Sequence, residues 1–326
     1  MLAVVTGGTG FIGSHLVEAL LARGDRVRCL VRSRKALRWL EGLPVELAEG
    51  SIEDPAACRA AAEGAEVVHH VAGVIASPDE AGFMRANAEG TRNVLEGCLA
   101  VAPGVRRVVV VTSQAAAGPS ADGVGVTEDR AAAPVSAYGR SKAEAERIAA
   151  TYAGRIPITI IRPPVVFGAR DSALLPYIKM IDWWMQLFVG RGKSLSIVYV
   201  KDLVEGILAA ETAPQAVGRT YFLCNEGPYT WEALGDAVKG ALGHGAVNVR
   251  VPDSVVRVAA SLVEEVARLF GKQVLFNRDK AGEVCQPSWI CDPSRAAREL
   301  GFRCKTPLAQ GFHETIGWYR KAGWLS

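Results

Sequence analysis

The sequence lacks every cysteine pattern that marks a metal site or a disulfide framework. Its seven cysteines are odd in number and scattered along the chain, and no CxxC or His–Cys spacing typical of metal ligands occurs. We therefore expect reduced thiols, a cytoplasmic location and no bound metal.

Long apolar runs are also missing. Charges interrupt the most hydrophobic stretches well short of the roughly 20 residues that a helix needs to cross a bilayer. The amino-terminal stretch has neither the charged start nor the small-residue cleavage site of a secretion signal. We expect a soluble protein with no stable membrane insertion.

The chain has no basic arm or stripe. Its 37 basic and 34 acidic residues, giving a formal charge of +3, are interspersed. This disfavours nucleic acid and favours a small-molecule substrate as the partner. Because 326 residues exceed the roughly 250–300 at which a single core stops growing, we expect one large and one smaller domain.

Short apolar runs alternate with Ala- and Leu-rich helical stretches in the first half of the chain. The runs cover residues 2–5, 27–31, 67–71, 108–112 and 158–161. Strands that are apolar at nearly every position are buried on both faces, as in a parallel sheet covered by helices. The pattern predicts an α/β fold with a doubly wound parallel sheet over residues 1–168. A smaller, partly interleaved second lobe is expected over residues 169–326, with residues 195–212 returning to the first domain.

One amphipathic segment stands out in the second lobe, residues 254–270. Apolar side chains recur there at helical spacing, with charged side chains opposite. The apolar face consists of Val255, Val258, Ala259, Leu262, Val266 and Leu269. The pattern favours a helix that packs against the core over one that lies on a membrane surface.

A glycine-rich turn follows the first predicted strand. Gly7, Gly10 and Gly13 have the spacing GxxGxxG and open a helix. Glycines permit a tight turn and close backbone approach, and the free N–H groups of a helix N-terminus suit a pyrophosphate. Alone, the turn also fits a plain strand-to-helix connection.

Three further residues suggest proton chemistry. Tyr138 and Lys142 form a YxxxK pair, one helical turn apart on one face. A nearby ammonium lowers the pKa of a phenol, so the tyrosine can exchange protons with an alcohol or ketone. Ser113 follows the strand at 108–112, at the edge where doubly wound sheets bind ligands. Taken singly, these residues also fit a solvated helix face and a turn.

Six motifs in this order resemble the extended short-chain dehydrogenase/reductase superfamily, over the whole chain. They are the glycine turn, Val68-His69-His70-Val71-Ala72, Asn87-Ala88-Glu89-Gly90-Thr91, Thr112-Ser113, Tyr138-Gly139-Arg140-Ser141-Lys142 and Arg162-Pro163-Pro164-Val165-Val166-Phe167-Gly168. The resemblance implies a Rossmann-type fold and a homodimer. It also implies that Ser113, Tyr138 and Lys142 are catalytic.

The resemblance also implies a nicotinamide cofactor. The expected contacts are Gly7, Thr9, Gly10, Phe11, Ile12, Gly13, Arg32, Ser51, Ile52, Val71, Ala72, Asn87, Tyr138, Lys142, Pro163, Val165 and Val166. Asn87 fits a helix N-cap equally well. His69 and His70, at the end of an apolar run, fit structural packing better than catalysis.

The end of the second predicted strand bears on the choice of cofactor. Val31 stands where NAD-binding relatives place an acidic residue against the ribose hydroxyls. Arg32, with Arg34 or Lys35 nearby, can pair with a 2′-phosphate. The sequence favours NADP(H) and leaves NAD(H) possible.

The substrate class depends on the second lobe. Leu195 stands where sugar-nucleotide enzymes of the superfamily carry a diphosphate-gripping Arg, and the apolar segment 174–189, with Trp183 and Trp184, suits an apolar ligand or a packing interface. We expect an NAD(P)-dependent oxidoreductase that interconverts a secondary alcohol and a ketone on a hydrophobic molecule, as in the 3β-hydroxysteroid dehydrogenase and dihydroflavonol reductase subgroup.

Two other functions remain open. The first is a nucleotide-sugar epimerase or dehydratase, in which Arg191 or Lys193 contacts phosphate. The second is a catalytically silent NADP-binding regulator, against which the complete set of Ser113, Tyr138 and Lys142 argues. The sequence identifies neither the substrate nor the physiological direction.

Overall fold

Seven parallel strands form the central sheet in this computed structural model, which describes residues 1–101, 104–121, 123–270 and 277–325. The strands are β1 (Leu2–Thr6), β2 (Arg26–Val31), β3 (Glu46–Glu49), β4 (Val67–His70), β5 (Arg107–Val111), β6 (Ile158–Arg162) and β11 (Thr220–Phe222). Their order is β3-β2-β1-β4-β5-β6-β11, with every neighbouring pair parallel. The five strands predicted from sequence match β1, β2, β4, β5 and β6 to within one residue at each end.

Helices cover both faces of the sheet. They are α1 (Phe11–Ala22), α2 (Pro55–Ala62), α3 (Glu80–Phe83), α4 (Gly90–Ala100), α5 (Gln114–Ala117), α6 (Ala137–Thr151) and α8 (Val200–Thr212). On one face Leu16 and Ile207 pack in a cluster with Val109, and on the other Leu95 and Ile148 pack in a second cluster. Each such buried side chain contributes about 1.5–3 kcal/mol to folding. The predicted doubly wound Rossmann-type fold is confirmed.

The second lobe combines short strands with helices. Its strands are β7 (Val165–Phe167), β8 (Met185–Val189), β9 (Ser194–Leu195), β10 (Ile197–Tyr199), β12 (Tyr229–Thr230), β13 (Val247–Val251) and β14 (Ser288–Trp289). Its helices are α7 (Leu175–Asp182), α9 (Trp231–Leu242), α10 (Asp253–Leu269), α11 (Arg278–Val284), α12 (Ser294–Leu300) and α13 (Leu308–Lys321). A third cluster, which includes Phe167, Ile178 and Phe312, forms its core. Single turns of 3-10 helix lie at Arg38–Leu40 and Pro214–Ala216.

The chain after residue 168 returns twice to the central sheet. Helix α8 places Leu203 and Ile207 in the same cluster as α1, and β11 pairs in parallel with β6. The two parts of the chain are therefore interleaved in space. The division at residue 168 stays a prediction.

Helix α10 turns its predicted core face outward. Leu262 is 62% exposed and Leu269 is 81% exposed, and Val255, Val258 and Val266 are exposed with them. The helix instead packs through Val256 and Ala260 against Ala281 and Cys285 of the α11 region. The prediction of a core-packing apolar face was wrong, because helical periodicity reveals an apolar face but not what covers it. None of the helices in the described ranges combines the length and the apolar character that a bilayer span requires.

The strand order reverses between β1 and β4. From β1 the chain crosses to β2 and β3 on one side, and it then returns to β4 on the other side of β1. At such a point the two connections diverge and leave a crevice outside the carboxyl ends of the strands. Thr6 and His70 end the two strands that border this crevice.

Candidate active site

The glycine turn links β1 to α1 at the edge of this crevice. Gly7 has φ +79°, and a Cβ on it would lie 2.7 Å from the backbone nitrogen of Ala72. A Cβ on Gly13 would lie 2.1 Å from the carbonyl oxygen of Gly7. These two glycines are required by the turn itself, because no side chain fits at either position.

Gly10 has a different environment. It is the N-cap of α1 and makes no side-chain capping bond, and a Cβ there would meet only the Gly7 carbonyl oxygen, at 3.1 Å. The partly exposed N-terminus of a 12-residue helix therefore stands open on one side. Backbone N–H groups in this arrangement suit a pyrophosphate, so the predicted contacts from Thr9 to Gly13 fit a dinucleotide.

A buried hydrogen-bond chain fixes the two strand ends. The amide of Ala72 donates to Thr6 Oγ1 at 3.2 Å, and Thr6 Oγ1 lies 2.8 Å from Nδ1 of His70. His70 Nε2 lies 3.0 Å from Thr91 Oγ1, which donates to the carbonyl of Asn87 at 2.6 Å. Every donor and acceptor in this row of hydrogen bonds has a partner when the His70 imidazole is neutral and carries its hydrogen on Nε2.

Burial lowers the pKa of His70 to about 3, and the Lys142 charge adds to the fall. The imidazole is therefore neutral at pH 7. His69 is fully buried as well, 3.0 Å from the carboxylate of Glu211. The expectation of structural packing fits both histidines.

Asn87 connects the loop after β4 to the helix that carries Tyr138. Its Oδ1 accepts from the amide of Val74 at 2.8 Å, and its Nδ2 donates to the carbonyl of Val74 at 3.1 Å and to Ser141 Oγ at 2.9 Å. The residue lies inside a π-helical segment, Met84–Glu89, ahead of α4. It is therefore not an N-cap, and the central structural position is the interpretation that fits.

Tyr138 and Lys142 lie one turn apart on α6, beneath the crevice. Lys142 is buried, and its Nζ lies 3.5 Å from the carbonyl of Val111 at the end of β5. Gly73 leaves room for the ammonium, since a Cβ there would lie 2.8 Å from Nζ. The Tyr138 ring packs edge-on against Phe83, with 6.0 Å between centroids.

Ser113 lies where β5 ends. It is the N-cap of α5, with its hydroxyl accepting from the amide of Ala115 at 3.1 Å. The Ser113 side chain also lies close enough to the Tyr138 phenol to lower its pKa. The three predicted catalytic residues are therefore brought together at the carboxyl edge of the sheet.

The protonation of Tyr138 differs from the sequence expectation. Burial raises the pKa of Tyr138 to about 12, the Ser113 side chain opposes the rise, and the Glu283 carboxylate adds to it. We expected the Lys142 ammonium to lower this pKa, but burial dominates because the hydroxyl lies in a desolvated place. Tyr138 is therefore protonated at neutral pH.

Lys142 belongs to a buried ionic group. Burial lowers the pKa of its ammonium to about 8, against which the Glu146 carboxylate raises it. Glu146 is one turn further along α6 and accepts two bonds from Arg162, at 2.9 and 2.6 Å, and one from Thr112 at 2.7 Å. This network holds the end of β6 against α6.

The remaining predicted cofactor residues surround the crevice. Val71 and Ala72 follow β4 beside Gly7, and Pro163 accepts from the amide of Gln114 at 2.9 Å. Ser51 and Ile52 follow β3, where Asn93 Nδ2 donates to the Ile52 carbonyl at 2.9 Å. Val165 and Val166 lie on β7 beside the second-lobe core.

Of the basic residues after β2, Arg32 is exposed, whereas Arg34 Nη2 donates to the carbonyl of Leu47 at 2.8 Å. Arg34 also pairs with Glu49 at 3.4 Å. Arg32 is therefore the residue better placed to meet a phosphate on the ribose.

Two acidic residues near Tyr138 were missed from the sequence. Asp279 and Glu283 on α11 contact Ala137 and Ser136 at the start of α6. They are more than 130 residues away in the chain and belong to no motif. Only the tertiary fold brings them there.

The second lobe bears on the substrate predictions. Trp183 and Trp184 end α7 and are 78% and 61% exposed, and Trp184 stacks on His244 at 4.5 Å. The neighbouring apolar residues Ile178 and Phe188 are buried. The two indoles thus lie largely on the outer surface of the lobe, where His244 covers one face of Trp184.

The basic residues before β9 are not equivalent. Leu195 is buried, and Lys193 Nζ donates to Asp253 Oδ1 and to the carbonyl of Val284, both at 2.9 Å. Lys193 is therefore engaged in holding α10 and α11, while Arg191 is exposed. No group of three or more His, Cys, Asp or Glu residues in the described part of the chain is arranged to hold a metal ion.

Comparison with known proteins gives matches along the whole chain. The model of the NAD dependent epimerase/dehydratase family matches residues 3–224. A ceramide reductase from Caulobacter vibrioides is 31% identical over 99% of this chain and 96% of its own length.

Two further matches differ in chemistry. A 4-hydroxy-2-methyl-3-oxo-4-farnesyl-3,4-dihydroquinoline-1-oxide ketoreductase from Stigmatella aurantiaca is 30% identical over 95% of this chain and 94% of its own. The structure of a double mutant of a dTDP-glucose 4,6-dehydratase from Streptomyces venezuelae, with NAD bound, has a TM-score of 0.80 at 24% identity and covers 100% of this chain and 99% of the other. At that identity the structural likeness shows the fold alone.

Proposed function

The chain belongs to the NAD-dependent epimerase/dehydratase family, the extended short-chain dehydrogenases/reductases, and from that premise we propose that it reduces a ketone on a hydrophobic small molecule to a secondary alcohol, with Tyr138 as proton donor. The observation that carries the proposal is the grouping of Ser113, Tyr138 and Lys142 beside the glycine turn. Members of the family with reductase names are similar over nearly the whole chain.

Each of the three residues has a distinct role. A bound nicotinamide cofactor supplies the hydride that the carbonyl carbon receives. Ser113 hydrogen-bonds the carbonyl oxygen, and Tyr138 gives that oxygen its proton, so that hydride and proton together complete the alcohol. Since burial raises the pKa of Tyr138 to about 12, the protonated form that reduction needs is the one present at neutral pH.

Lys142 completes the arrangement. Its ammonium is buried beneath Gly73 and the crevice, one turn from Tyr138. A cation in this position stabilises the negative charge that develops on the phenol oxygen as its proton leaves, and it can donate to a ribose hydroxyl of the cofactor. Asn87 keeps the loop after β4 and helix α6 in register around it.

We propose NADP(H) as the preferred cofactor. The support is the exposed guanidinium of Arg32 next to Val31, where no carboxylate is available to a ribose 2′-hydroxyl. The family is NAD-dependent as a whole, so NAD(H) is the competing cofactor.

The substrate class is supported by the second lobe and by the relatives. A diphosphate needs cationic partners, because burying its charges unpaired is costly. Leu195 is apolar and Lys193 is already paired with Asp253. The two relatives described above, the ceramide reductase and the farnesyl-dihydroquinoline ketoreductase, are named for substrates that carry apolar chains.

A nucleotide-sugar epimerase or dehydratase is the second candidate function. The exposed Arg191 favours it, as a group that can reach a phosphate.

A homodimer and a cytoplasmic location also remain proposals, drawn from the family resemblance and the cysteine pattern. Sedimentation of the purified protein tests the first.

The experiment is a turnover screen of purified protein with NADP(H) and NAD(H) against hydrophobic ketones, hydrophobic alcohols and nucleotide sugars. Saturable oxidation of the reduced cofactor by a hydrophobic ketone supports the proposal. Conversion of a nucleotide sugar without net cofactor consumption, and no reaction with ketones, supports the epimerase instead. Cofactor binding without any turnover supports the silent regulator.

A further inference from the structure

Helix α11 of the second lobe contacts the first turn of the catalytic helix α6. The amide of Ala137 donates to Asp279 Oδ2 at 2.6 Å, and the hydroxyl of Ser136 donates to Glu283 Oε1. Asp279 and Glu283 are four residues apart, so both side chains lie on the same face of α11. Carboxylates at a helix N-terminus are stabilised by its unpaired N–H groups and by the positive end of its dipole.

These contacts bracket Tyr138. Ser136 is the N-cap of α6, and its hydroxyl also accepts from the amide of Gly139 at 3.0 Å. Tyr138 thus lies within the single turn whose free N–H groups are bound by Ser136 and Asp279. Ser136 is 1% exposed and Glu283 is 8% exposed, so water competes weakly for these bonds.

The far side of α11 is anchored as well. Lys193 Nζ donates to the carbonyl of Val284 at the end of α11 and to Asp253 at the start of α10, both at 2.9 Å. The indole of Trp289 donates to the carbonyl of Glu283 at 2.9 Å. A continuous set of hydrogen bonds therefore runs from Lys193 and Trp289, through α11, to the start of α6.

We propose that Asp279 and Glu283 are positioning residues, through which the second lobe holds Tyr138 at the place that carbonyl reduction requires and sets a negative charge near it. The proposal rests on the proposed role of Tyr138 as proton donor. It assigns to α11 a part in the reaction that no sequence motif indicates.

The charges around Tyr138 define the electrostatic part. Lys142 lies on its own helix, Ser113 faces it from the end of β5, and Glu283 faces it from α11. At the start of α6, Arg140 is bound by Glu80 of α3 through two bonds of 2.7 Å. Burial is the largest cause of the raised pKa of Tyr138, and the Glu283 carboxylate is the charge that raises it further. A neighbouring negative charge has this effect because it disfavours the phenolate.

Two substitutions at Glu283 separate charge from hydrogen bonding. Glu283→Gln keeps an acceptor for Ser136 and removes the charge, whereas Glu283→Ala removes both. Glu232→Gln is the matched control, since Glu232 is a second-lobe carboxylate on α9 that binds Arg250 at 3.1 Å and does not contact α6. The readout is the 13C NMR signal of ring-labelled tyrosine in the cofactor-free protein, with Tyr138 assigned by Tyr138→Phe.

We expect Glu283→Gln to move the onset of Tyr138 ionisation to lower pH by about half a unit or more, the size of a Coulomb contribution over several ångströms in a polar surrounding. Glu232→Gln should leave it unchanged. An identical Tyr138 titration in the wild type and Glu283→Gln overturns the electrostatic part. Because this measurement needs neither cofactor nor substrate, it stays valid even if Tyr138→Phe shows that the proposed reaction is wrong.

Asp279 tests the geometric part. Asp279→Asn keeps an acceptor for the Ala137 amide, and Asp279→Ala does not. With the substrate found by the turnover screen, we expect Asp279→Ala to lower kcat roughly tenfold with KM nearly unchanged, because misplacing a reacting group affects the chemical step, and Asp279→Asn to restore most of it. Equal kcat in the wild type and Asp279→Ala, with both folded by circular dichroism, overturns this part.

Discussion

Asn87 Nδ2 donates to Ser141 Oγ at 2.9 Å while other bonds of the same side chain go to Val74, so Asn87 joins the loop after β4 to the helix that carries Tyr138 and Lys142. The other amide atom of Asn87 accepts from Val74, so both halves of the side chain are used. The relationship explains how residues from distant parts of the sequence keep a common register in the proposed active site.

Replacing Asn87 with Ala should disturb that register. The change removes the partners of the Val74 amide and carbonyl, while the Ser141 hydroxyl keeps its own bond to the Tyr138 carbonyl. Each polar group left unsatisfied costs about 1–3 kcal/mol. We expect lower stability to urea and a loss of turnover larger than the loss of folded protein explains. Asn225→Ala, which removes a buried bond from the amide of Ile197 in the second lobe, is the control. Equal specific activity in the two variants contradicts the role of Asn87.

A second prediction concerns the glycine turn. A Cβ at Gly13 would lie 2.1 Å from the Gly7 carbonyl oxygen, so Gly13→Ala must displace backbone, at a cost of roughly 1–3 kcal/mol. We expect a severe loss of cofactor affinity, measured by fluorescence titration. Gly240→Ala in α9 is the matched control, since nothing lies within 4 Å of its Cβ, and it should stabilise the protein by about 0.5–1 kcal/mol. Cofactor binding by Gly13→Ala as tight as by the control variant would falsify the role of the glycine turn in holding the cofactor.

The third prediction concerns cofactor choice. If Arg32 pairs with a 2′-phosphate, Arg32→Ala should weaken NADP(H) binding about 10- to 100-fold, as expected for a charge-assisted hydrogen bond, and leave NAD(H) nearly unchanged. Arg34→Ala should leave the affinities for both cofactors nearly unchanged, because Arg34 is bound to Leu47 and Glu49. Dissociation constants at one ionic strength decide the matter. Tighter binding of NAD(H) by the wild type rules the preference out.

The fourth prediction concerns pH and stability. The pKa of His70 is about 3 in the folded chain, against an ordinary value of 6.5, so between these values the unfolded state binds a proton that the folded state does not. The free energy of unfolding therefore falls as the pH drops from about 6.5 toward 3. From pH 7 to pH 5 this one group accounts for about 2 kcal/mol at most.

Urea unfolding at pH 7 and pH 5 measures that difference. We expect it to be smaller in His70→Gln than in the wild type, whatever the absolute stability of the variant. The exposed His313, replaced by Gln, should leave the difference unchanged. A pH dependence in His70→Gln equal to that of the wild type means that His70 is not the neutral buried group described.

Much of the fold follows from local sequence signals. The β-branched runs at β1, β2, β4, β5 and β6 are apolar at nearly every position because helices cover both faces of the sheet, and their spacing reveals the crossovers. The glycine turn and the YxxxK pair can likewise be recognised from the sequence, since backbone sterics and helix periodicity are local constraints.

Other features depend on tertiary contacts. The exposure of the apolar face of α10 could not be inferred from its periodicity, because a helical pattern does not show which element, if any, packs against that face. Burial, which sets the pKa of Tyr138 against the influence expected of Lys142, depends on the whole fold. The contacts of Asp279 and Glu283 with α6 join segments more than 130 residues apart.

The central claim, ketone reduction with Tyr138 as proton donor, is tested most directly by following deuterium. The purified protein is given a nicotinamide cofactor with two deuterium atoms at C4, together with a hydrophobic ketone and a nucleotide sugar in equal amounts, and both products are examined by mass spectrometry. The account predicts deuterium on the carbinol carbon of a hydrophobic alcohol, an unchanged sugar, and a rate 10²–10⁴-fold lower in Tyr138→Phe with cofactor affinity retained. An altered nucleotide sugar with no deuterated alcohol, or a wild-type rate in Tyr138→Phe, contradicts it.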